Sequence, residues 1–279
     1  PSQKALDDYV EGRTEEREFL KSSEYFKTWG LDYNYYKDIL RFAREARIPV
    51  VALNIKREIV TSISKNGIES LSEEEKKALP DSLDMTDEIY RERLKEVFHG
   101  HEGGEGKSFD QFYQSQIVWD ETMAESVDEY LRKNPDRQMV VLAGGGHLAF
   151  SSGIPKRAFR RNRLDYAVIL NEEAVEKGIA DFILFPEPVK ITPAPKLMVI
   201  LKEEDGRVKI TGFSEGSISE QAGLRKEDII LSLDGTEIHT VEDIKIALFY
   251  KKPGDVAEVK VLRKRLFFGE HEMLFDVTL

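Results

Sequence analysis

The stretch "MVVLAGGGHLAF", residues 139–150, decides how the first two-thirds of the chain is interpreted. Its four leading apolar residues show no polar alternation and predict a strand buried on both faces. Gly144, Gly145 and Gly146 allow a sharp turn and remove the side chains that would keep a ligand from the backbone. Because ligands of open α/β sheets bind at the carboxyl ends of strands, His147 is predicted to face a crevice. The alternative is a tight strand-to-helix turn with an incidental histidine.

The segments around this stretch alternate between patterns of apolar residues that are typical of strands and patterns that are typical of helices. Apolar runs predict strands at residues 48–54, 138–143, 165–170 and 180–185. Apolar positions at spacings of three and four predict helices over residues 2–11, 14–28, 33–46, 56–66, 72–79, 84–98 and 109–132. This alternation predicts an α/β fold in which helices flank a mostly parallel sheet, with a helical subdomain.

Polar residues near the predicted strand ends are candidates for a binding site. Asn54 and Arg57 follow the strand at 48–54, although Asn54 is equally suited to capping the next helix. Gln116 and Asp120 are neighbours at i, i+4 and either line a pocket or form a surface pair. A cationic cluster follows His147 and predicts either carboxylate or phosphate recognition or a solvated helix face. Its members are Lys156, Arg157, Arg160, Arg161 and Arg163.

A second candidate site lies in "FHGHEGGEGKSF", residues 98–109. His99 and His101 stand next to two glutamates, and imidazole with carboxylate suits a divalent metal such as zinc or iron. A flexible glycine-rich loop without a ligand is the alternative.

Composition excludes several classes of protein. The chain has 279 residues and a formal net charge of −11, which argues against nucleic acid and anionic membranes as partners. It has no cysteine, so disulfides and thiolate metal sites are excluded. No apolar run reaches the length that a bilayer span requires. The first residue is Pro1, within a predicted helix, and we expect the first domain to be incomplete at its N-terminal side.

A proline-rich segment divides the chain. "FPEPVKITPAPK", residues 185–196, holds four of the ten prolines and predicts an extended connector. We therefore predict an α/β domain at 1–184, a linker at 185–196 and a small β-rich α+β domain at 197–279.

The C-terminal domain carries a specific pattern. "GSISEQAGLRKEDIILSLDGTEI", residues 216–238, has the order and turn residues of a PDZ domain, and the region resembles the type found with bacterial proteases. The resemblance implies a groove where a peptide C-terminus adds a strand, unless the domain serves only for packing. The loop before the first strand lacks the usual glycine, which weakens the expectation of carboxylate capture. The expected groove residues are Leu197, Met198, Val199, Ile200, Val241, Ile244 and Leu248.

The first domain resembles a second family through an ordered set of motifs. "DDYVEG", "WGLDYNYYKDILRFAR", "IPVVALN", "WDETMA", "LAGGGHL" and "GIPKR" occur in this order in the ChaN-like haem-binding uptake family, a relative of the TIKI, TraB and erythromycin-esterase-like proteins. The resemblance implies a bacterial cell-envelope or periplasmic protein of iron uptake. Such proteins are often lipoproteins, and the lipid anchor would belong to a segment outside this chain.

The same resemblance implies the cofactor and its ligands. Haem in this family is held by a tyrosine, with a histidine nearby, at a homodimer interface. The candidate tyrosines are Tyr33, Tyr36, Tyr90 and Tyr113. The residues that lie on matching family motifs are Asn54, Arg57, Gln116, Asp120, His147 and Arg157.

An enzymatic function is the alternative to haem binding. In the TIKI branch, a Gly-Glu-x-His motif pairs with a turn like that of His147 to hold a catalytic metal, and this chain has no such motif. The alternative function is a metal-dependent hydrolase or peptidase whose PDZ domain presents substrate tails. The chain lacks a cysteine nucleophile and a His-Glu-x-x-His helix, which disfavours catalysis.

Overall fold

The computed structural model describes residues 3–29, 31–100, 108–172, 174–265 and 269–279. They form two compact units. One unit runs from Val51 to Val189, and the other combines the described residues up to Val50 with Lys190–Leu279. Within the described ranges, no helix is both long enough and apolar enough to cross a membrane.

The first four helices bury aromatic side chains. These helices are α1 (Gln3–Val10), α2 (Glu16–Ser22), α3 (Tyr25–Thr28) and α4 (Lys37–Ala46). The predicted helix at 14–28 is divided because Glu24 adopts a left-handed φ of 49°, which ends one helix and starts the next. Tyr9, Phe19, Tyr25 and Tyr33 are buried in one apolar cluster.

The middle unit is built on one long helix. Its elements are α5 (Arg57–Asn66), α6 (Glu73–Lys76), α7 (Glu88–Gly100), α8 (Phe109–Lys133), α9 (Ile154–Asn162), β1 (Ile169–Asn171) and β2 (Phe182–Leu184). Ser108 caps α8 by accepting a hydrogen bond from the backbone N–H of Gln111. Helix α8 buries Ile117, Val118 and Ala124 and packs against α5, α7 and α9.

The predicted sheet is only partly present. Strands β1 and β2 pair in parallel, whereas residues 48–54 and 138–143 carry no regular strand. The prediction of a strand buried on both faces at 139–142 is wrong, since Val140 is 86% and Leu142 is 55% exposed. An apolar run indicates β propensity, but it does not supply the neighbouring strand that pairing requires.

The C-terminal region has the predicted β-rich fold. Its elements are β3 (Val199–Glu204), β4 (Arg207–Phe213), α10 (Ile218–Gln221), β5 (Ile229–Leu233), β6 (Thr236–Glu237), α11 (Val241–Phe249), β7 (Val256–Arg265) and β8 (Gly269–Thr278). The strands pair antiparallel in the order β3-β4-β5-β7-β8, and β6 pairs with β5. Asp234 and Gly235 both take positive φ in the tight β5–β6 turn. Thr240 and Asp243 form a capping box at the start of α11.

Helix α11 packs on two sides. Ile244 and Leu248 lie in the core with the strands, whereas Ile246 joins the cluster formed by α1, α2 and α4. Lys21 on α2 lies 3.0 Å from Asp243, and the backbone N–H of Phe26 on α3 donates to Glu242 at 3.0 Å. Residues 3–50, which the sequence assigns to the first domain, therefore pack with the C-terminal unit. The reason is that their apolar faces are covered by α11.

Candidate functional site

A buried carboxylate on α8 binds two side chains from other elements. Asp120 is 0% exposed, and its Oδ1 lies 2.6 Å from Nδ1 of His147. Its Oδ2 accepts a hydrogen bond of 2.6 Å from the hydroxyl of Tyr90 on α7. Burial and the neighbouring Asp120 raise the pKa of Tyr90, so its phenol stays protonated and donates. Asp120 thus has an acceptor role on both oxygens.

His147 lies in a short 3-10 turn, Gly145–His147, whose backbone is tightly held. Its N–H donates to the carbonyl of Gly144 at 2.9 Å. Gly153 is required beside this turn, because a Cβ there would lie 2.2 Å from the carbonyl oxygen of His147. A Cβ at Gly145 or Gly146 would meet no atom within 4 Å, so these two glycines leave an open surface rather than a close packing contact.

One ring nitrogen of His147 contacts Asp120, and the other has no partner among the described residues. Asp120 favours the tautomer in which Nδ1 carries the proton. Nε2 makes no hydrogen bond within the part of the chain that the structure describes, and the side chain is 19% exposed. A neutral imidazole held in this way presents its lone pair, which can ligate a metal or accept a proton.

Trp119, which was not among the predicted site residues, lies beside this histidine and connects it to Asn54, which was. The indole ring of Trp119 lies edge-on to the ring of His147, with centroids 5.2 Å apart. Its Nε1 donates to Oδ1 of Asn54 at 2.5 Å. Asn54 therefore does not cap α5, whose N-cap residue is Lys56. Gln116 lies one turn before Asp120 on α8 and is half-buried, and Arg57 is exposed at the start of α5.

The predicted cationic cluster is largely neutralised inside the protein. Glu121, also 0% exposed, lies 3.3 Å from Nε of Arg157, 2.7 Å from Arg160 and 3.1 Å from Arg161. Arg157 is 2% exposed and donates to the carbonyl of Ser152 at 2.6 Å. These arginines therefore bind acceptor groups of the protein itself, and the surroundings of Arg157 are those of a structural residue. The remaining members are Lys156, paired with Asp87 at 2.6 Å, and Arg163, which stacks on Phe159.

A cavity of about 650 Å³ lies beside the residues that follow His147. Phe150 and Ser151 both take φ of 57°, a strained conformation for residues other than glycine. The guanidinium of Arg93 lies 4.3 Å from the ring of Phe150 and has no carboxylate within 4 Å among the described residues. Burial lowers the pKa of Arg93. The sequence did not indicate Arg93, whose only signal was its place on a helix that faces the turn.

Most of the predicted metal-binding loop, residues 98–109, lies outside the described residues. His99 is exposed near the end of α7, and His101 lies outside the described residues. Over the ranges that the structure describes, no three histidine, cysteine, aspartate or glutamate side chains are grouped to hold a metal ion.

The candidate haem tyrosines occupy different environments. Tyr90, Tyr113 and Tyr33 are buried, and Tyr113 donates to the carbonyl of Met85 at 3.1 Å. Tyr36 belongs to the unit that contains the β-rich region, and its ring stacks on Trp29 at 4.6 Å.

The predicted peptide groove lies at the edge of the β-rich sheet. Strand β3 is terminal in the strand order and pairs only with β4 in the described part of the chain. Met198 takes a left-handed φ of 56° just before β3, which is the conformation that glycine adopts readily. The carbonyl of Leu197 accepts from Ser219 at 2.5 Å. Of the other groove residues, Ile244 and Leu248 are buried, Val199 and Val241 are half-buried and Ile200 is exposed.

Comparison with known families gives a match for each of two regions of the chain. The chain belongs to the haem-binding uptake family of the Tiki superfamily, ChaN, whose model matches residues 1–158. A PDZ domain matches residues 195–277. Both resemblances expected from the sequence are confirmed.

The curated relatives are serine proteases that the chain matches over limited lengths. It is 27% identical over 128 residues to a probable periplasmic serine endoprotease DegP-like of Chlamydia muridarum (strain MoPn / Nigg), which is 46% of this chain and 24% of that protein. It is 46% identical over 57 residues to the serine protease Do-like HtrA of Bacillus subtilis (strain 168), 20% of this chain and 13% of that protein. The chain thus spans a quarter or less of these relatives.

A solved structure of the "HtrA-type protease AlgWS227A with decapeptide" is similar over 30% of this chain and 27% of that chain. The sequence identity is 18% and the TM-score is 0.27.

Proposed function

We propose that the protein binds haem or a related tetrapyrrole through residues 51–189 and binds peptide or protein C-termini through its PDZ domain. The observation that carries the haem proposal is the imidazole of His147, which is oriented by the buried Asp120 and has its Nε2 free beside an open glycine turn. An oriented neutral imidazole is a common axial ligand of haem iron.

The donor set fits haem in this unit. Haem supplies an iron atom with axial positions and a flat apolar ring that carries carboxylates. His147 would hold the iron through Nε2, and the edge of Trp119 would border the ring. Ligation by Tyr90 would break its hydrogen bond to Asp120 and would oppose its raised pKa, so our proposal assigns the iron to His147 rather than to Tyr90.

The PDZ proposal rests on the free edge of β3 and the shape of the loop before it. An extended peptide would pair with β3, and its carboxylate would lie near the left-handed turn at Met198. Ile244 and Leu248 would form the apolar floor for its last side chain.

The relatives support a proposal for the location and assembly of the protein. The family resemblance and the periplasmic protease relatives favour a bacterial cell-envelope or periplasmic protein of iron uptake. We propose lipid anchoring and a homodimer on the family resemblance alone, and we propose 197–279 as the limits of the PDZ domain.

Haemin titration tests the proposal. We expect a Soret band that saturates at one haem per chain and a tenfold or greater loss of affinity in the His147→Ala variant. No Soret band, together with metal-dependent cleavage of peptides, would instead support the hydrolase alternative.

A further inference from the structure

The proposed peptide groove has a defined direction. Helix α11 begins beside the far end of β3, because the backbone N–H of Val241 donates to Oε1 of Glu203 at 2.6 Å. The carboxylate loop at Met198 lies at the other end of β3. At about 3.3 Å per residue, the distance from Val199 to Glu203 is about 13 Å. A peptide that pairs antiparallel to β3 therefore has its fourth or fifth residue from the carboxyl end beside Glu203.

Helix α3 flanks α11 at this end of the groove. The backbone N–H of Phe26 donates to Glu242 at 3.0 Å, and Nζ of Lys245 donates to the carbonyl of Phe26 at 3.4 Å. The ring of Phe26 lies 6.3 Å from that of Phe249, and Ile246 is buried in the same cluster. A helix from outside the PDZ sequence thus stands next to the groove and is fixed there by apolar packing.

Two carboxylates at this end, Glu203 and Glu242, share the nearby ammonium of Lys27 with a third acid, Glu24. Glu203 and Glu242 lie farther than 4 Å from every lysine and arginine that the structure describes. Each accepts a backbone N–H instead. The nearest ammonium on α3, that of Lys27, is paired with Glu24 at 2.7 Å. Burial, followed by the nearby Glu24, raises the pKa of Glu242, and the charge of Lys27 offsets this only in part.

We propose that Glu203 and Glu242 select a lysine or arginine at the fourth or fifth residue from the carboxyl end of the bound peptide. Three acids share one lysine at this end, so a cation at this position of the peptide would add the positive charge that they lack while the rest of the peptide extends the sheet. The selection rests on the proposed function of the groove, and it adds the chemical class of the partner.

Anisotropy with labelled hexapeptides and the full chain tests this selection. Three peptides end in valine and carry Lys-Lys, Ala-Ala or Glu-Glu at the fourth and fifth positions from the carboxyl end. At low salt we expect the lysine peptide to bind about threefold more tightly than the alanine peptide, and the glutamate peptide to bind about threefold more weakly. In 0.5 M NaCl the three affinities should converge because salt screens exposed charges.

A double variant and a matched control complete the test. Glu203→Gln with Glu242→Gln keeps both backbone acceptors, and we expect its three affinities to agree within twofold. Glu204→Gln changes the next residue of β3, which is paired with Lys202 at 2.6 Å, and should retain the parent preference. Equal binding of all three peptides by the parent, or a lysine preference that survives in the double variant, overturns the selection and leaves the groove intact. If the parent binds none of them, the proposed groove function fails as well.

Discussion

Asp120 and Glu121 are consecutive residues of α8, both are fully buried, and they have opposite surroundings. Glu121 is enclosed by Arg157, Arg160 and Arg161, so its charge is neutralised and its network ends within the protein. Asp120 contacts the hydroxyl of Tyr90 and the imidazole of His147, and its network ends at a nitrogen of His147 with no partner in the described residues. Burial of an acid therefore does not identify a site, whereas a network that ends at an unpartnered nitrogen does.

The geometry of the helix explains the difference. Consecutive residues of an α-helix point about 100° apart, so one carboxylate can face α9 while the next faces α7 and the glycine turn. The sequence motif "WDE" therefore joins a structural acid to a candidate functional acid. Substitutions at four residues test the different roles of Asp120, Glu121 and their neighbours.

The largest effect is expected on stability, at Glu121. Glu121→Gln leaves three partly buried arginines without their shared carboxylate and should lower the free energy of unfolding by about 3–5 kcal/mol. Urea unfolding measures this change. The control Glu125→Gln removes an acid that is 24% exposed and bonded to Arg161 alone of these arginines, and it should cost about 1 kcal/mol or less. If the two variants lose the same stability, the network around Glu121 is not the structural element of this unit.

The second effect is expected on ligand affinity, at Asp120. Asp120→Asn removes the charge that holds Nδ1 of His147 and should weaken haemin binding by about 10–100-fold. Absorbance titration measures the affinity, and urea unfolding measures the accompanying loss of about 1–3 kcal/mol. Unchanged haemin affinity in this variant would place Asp120 with Glu121 as a structural acid.

A smaller effect is expected at Tyr90. Tyr90→Phe removes one hydrogen bond to Asp120 and should cost about 0.5–1.5 kcal/mol of stability. Haemin affinity should fall less than fivefold, because the contact between His147 and Asp120 remains. Tyr113→Phe, which removes a bond to a backbone carbonyl, is the matched control and should leave haemin affinity unchanged. Titration of both variants distinguishes a positioning role for Tyr90 from simple packing.

The smallest effect is a pH dependence of the arginine network. The hydroxyl and N–H of Thr86, then Arg160, hold the pKa of Asp84 below its usual value. A group with a lowered pKa stabilises the folded state above its unfolded pKa, near 4, and loses this contribution as the pH falls through the folded value. We expect Asp84→Asn to remove about 0.5–1 kcal/mol at pH 7 and little at pH 3. An equal loss at both pH values would contradict this assignment.

The β-rich region was predictable because its signals are local. Asp234-Gly235 form the tight β5–β6 turn and Thr240 caps the start of α11, and each of these features depends on residues only a few positions apart. The packing of α1 to α4 on α11 was not predictable. Ile246 and Phe249 are apolar, but an apolar residue does not indicate which distant segment will cover it.

The middle unit was predicted less well. Helix α8 was expected at 109–132 and is found at Phe109–Lys133, because its apolar period extends over many turns. The run at 139–142 has the composition of a strand, but strand formation depends on partners that composition does not reveal.

The candidate site was predicted in its residues more than in its contacts. Asn54, Asp120 and His147 were among the candidate site residues, and they are connected through Trp119 and direct contact. Arg157 was expected to serve the ligand and is instead buried beside Glu121. Three arginines in nine residues of an acidic chain could have signalled a buried acid, but not which one.

We propose that His147 binds a ligand and is not only a structural residue of its turn. The direct test is haemin titration and thermal unfolding of His147→Ala, with His239→Ala, an exposed histidine of the C-terminal unit, as the control. We predict at least tenfold weaker haemin binding in His147→Ala, a loss of stability of about 1–3 kcal/mol because Oδ1 of the buried Asp120 loses its partner, and parent-like behaviour in the control. A His147→Ala protein that loses this stability but binds haemin like the parent would contradict the proposal.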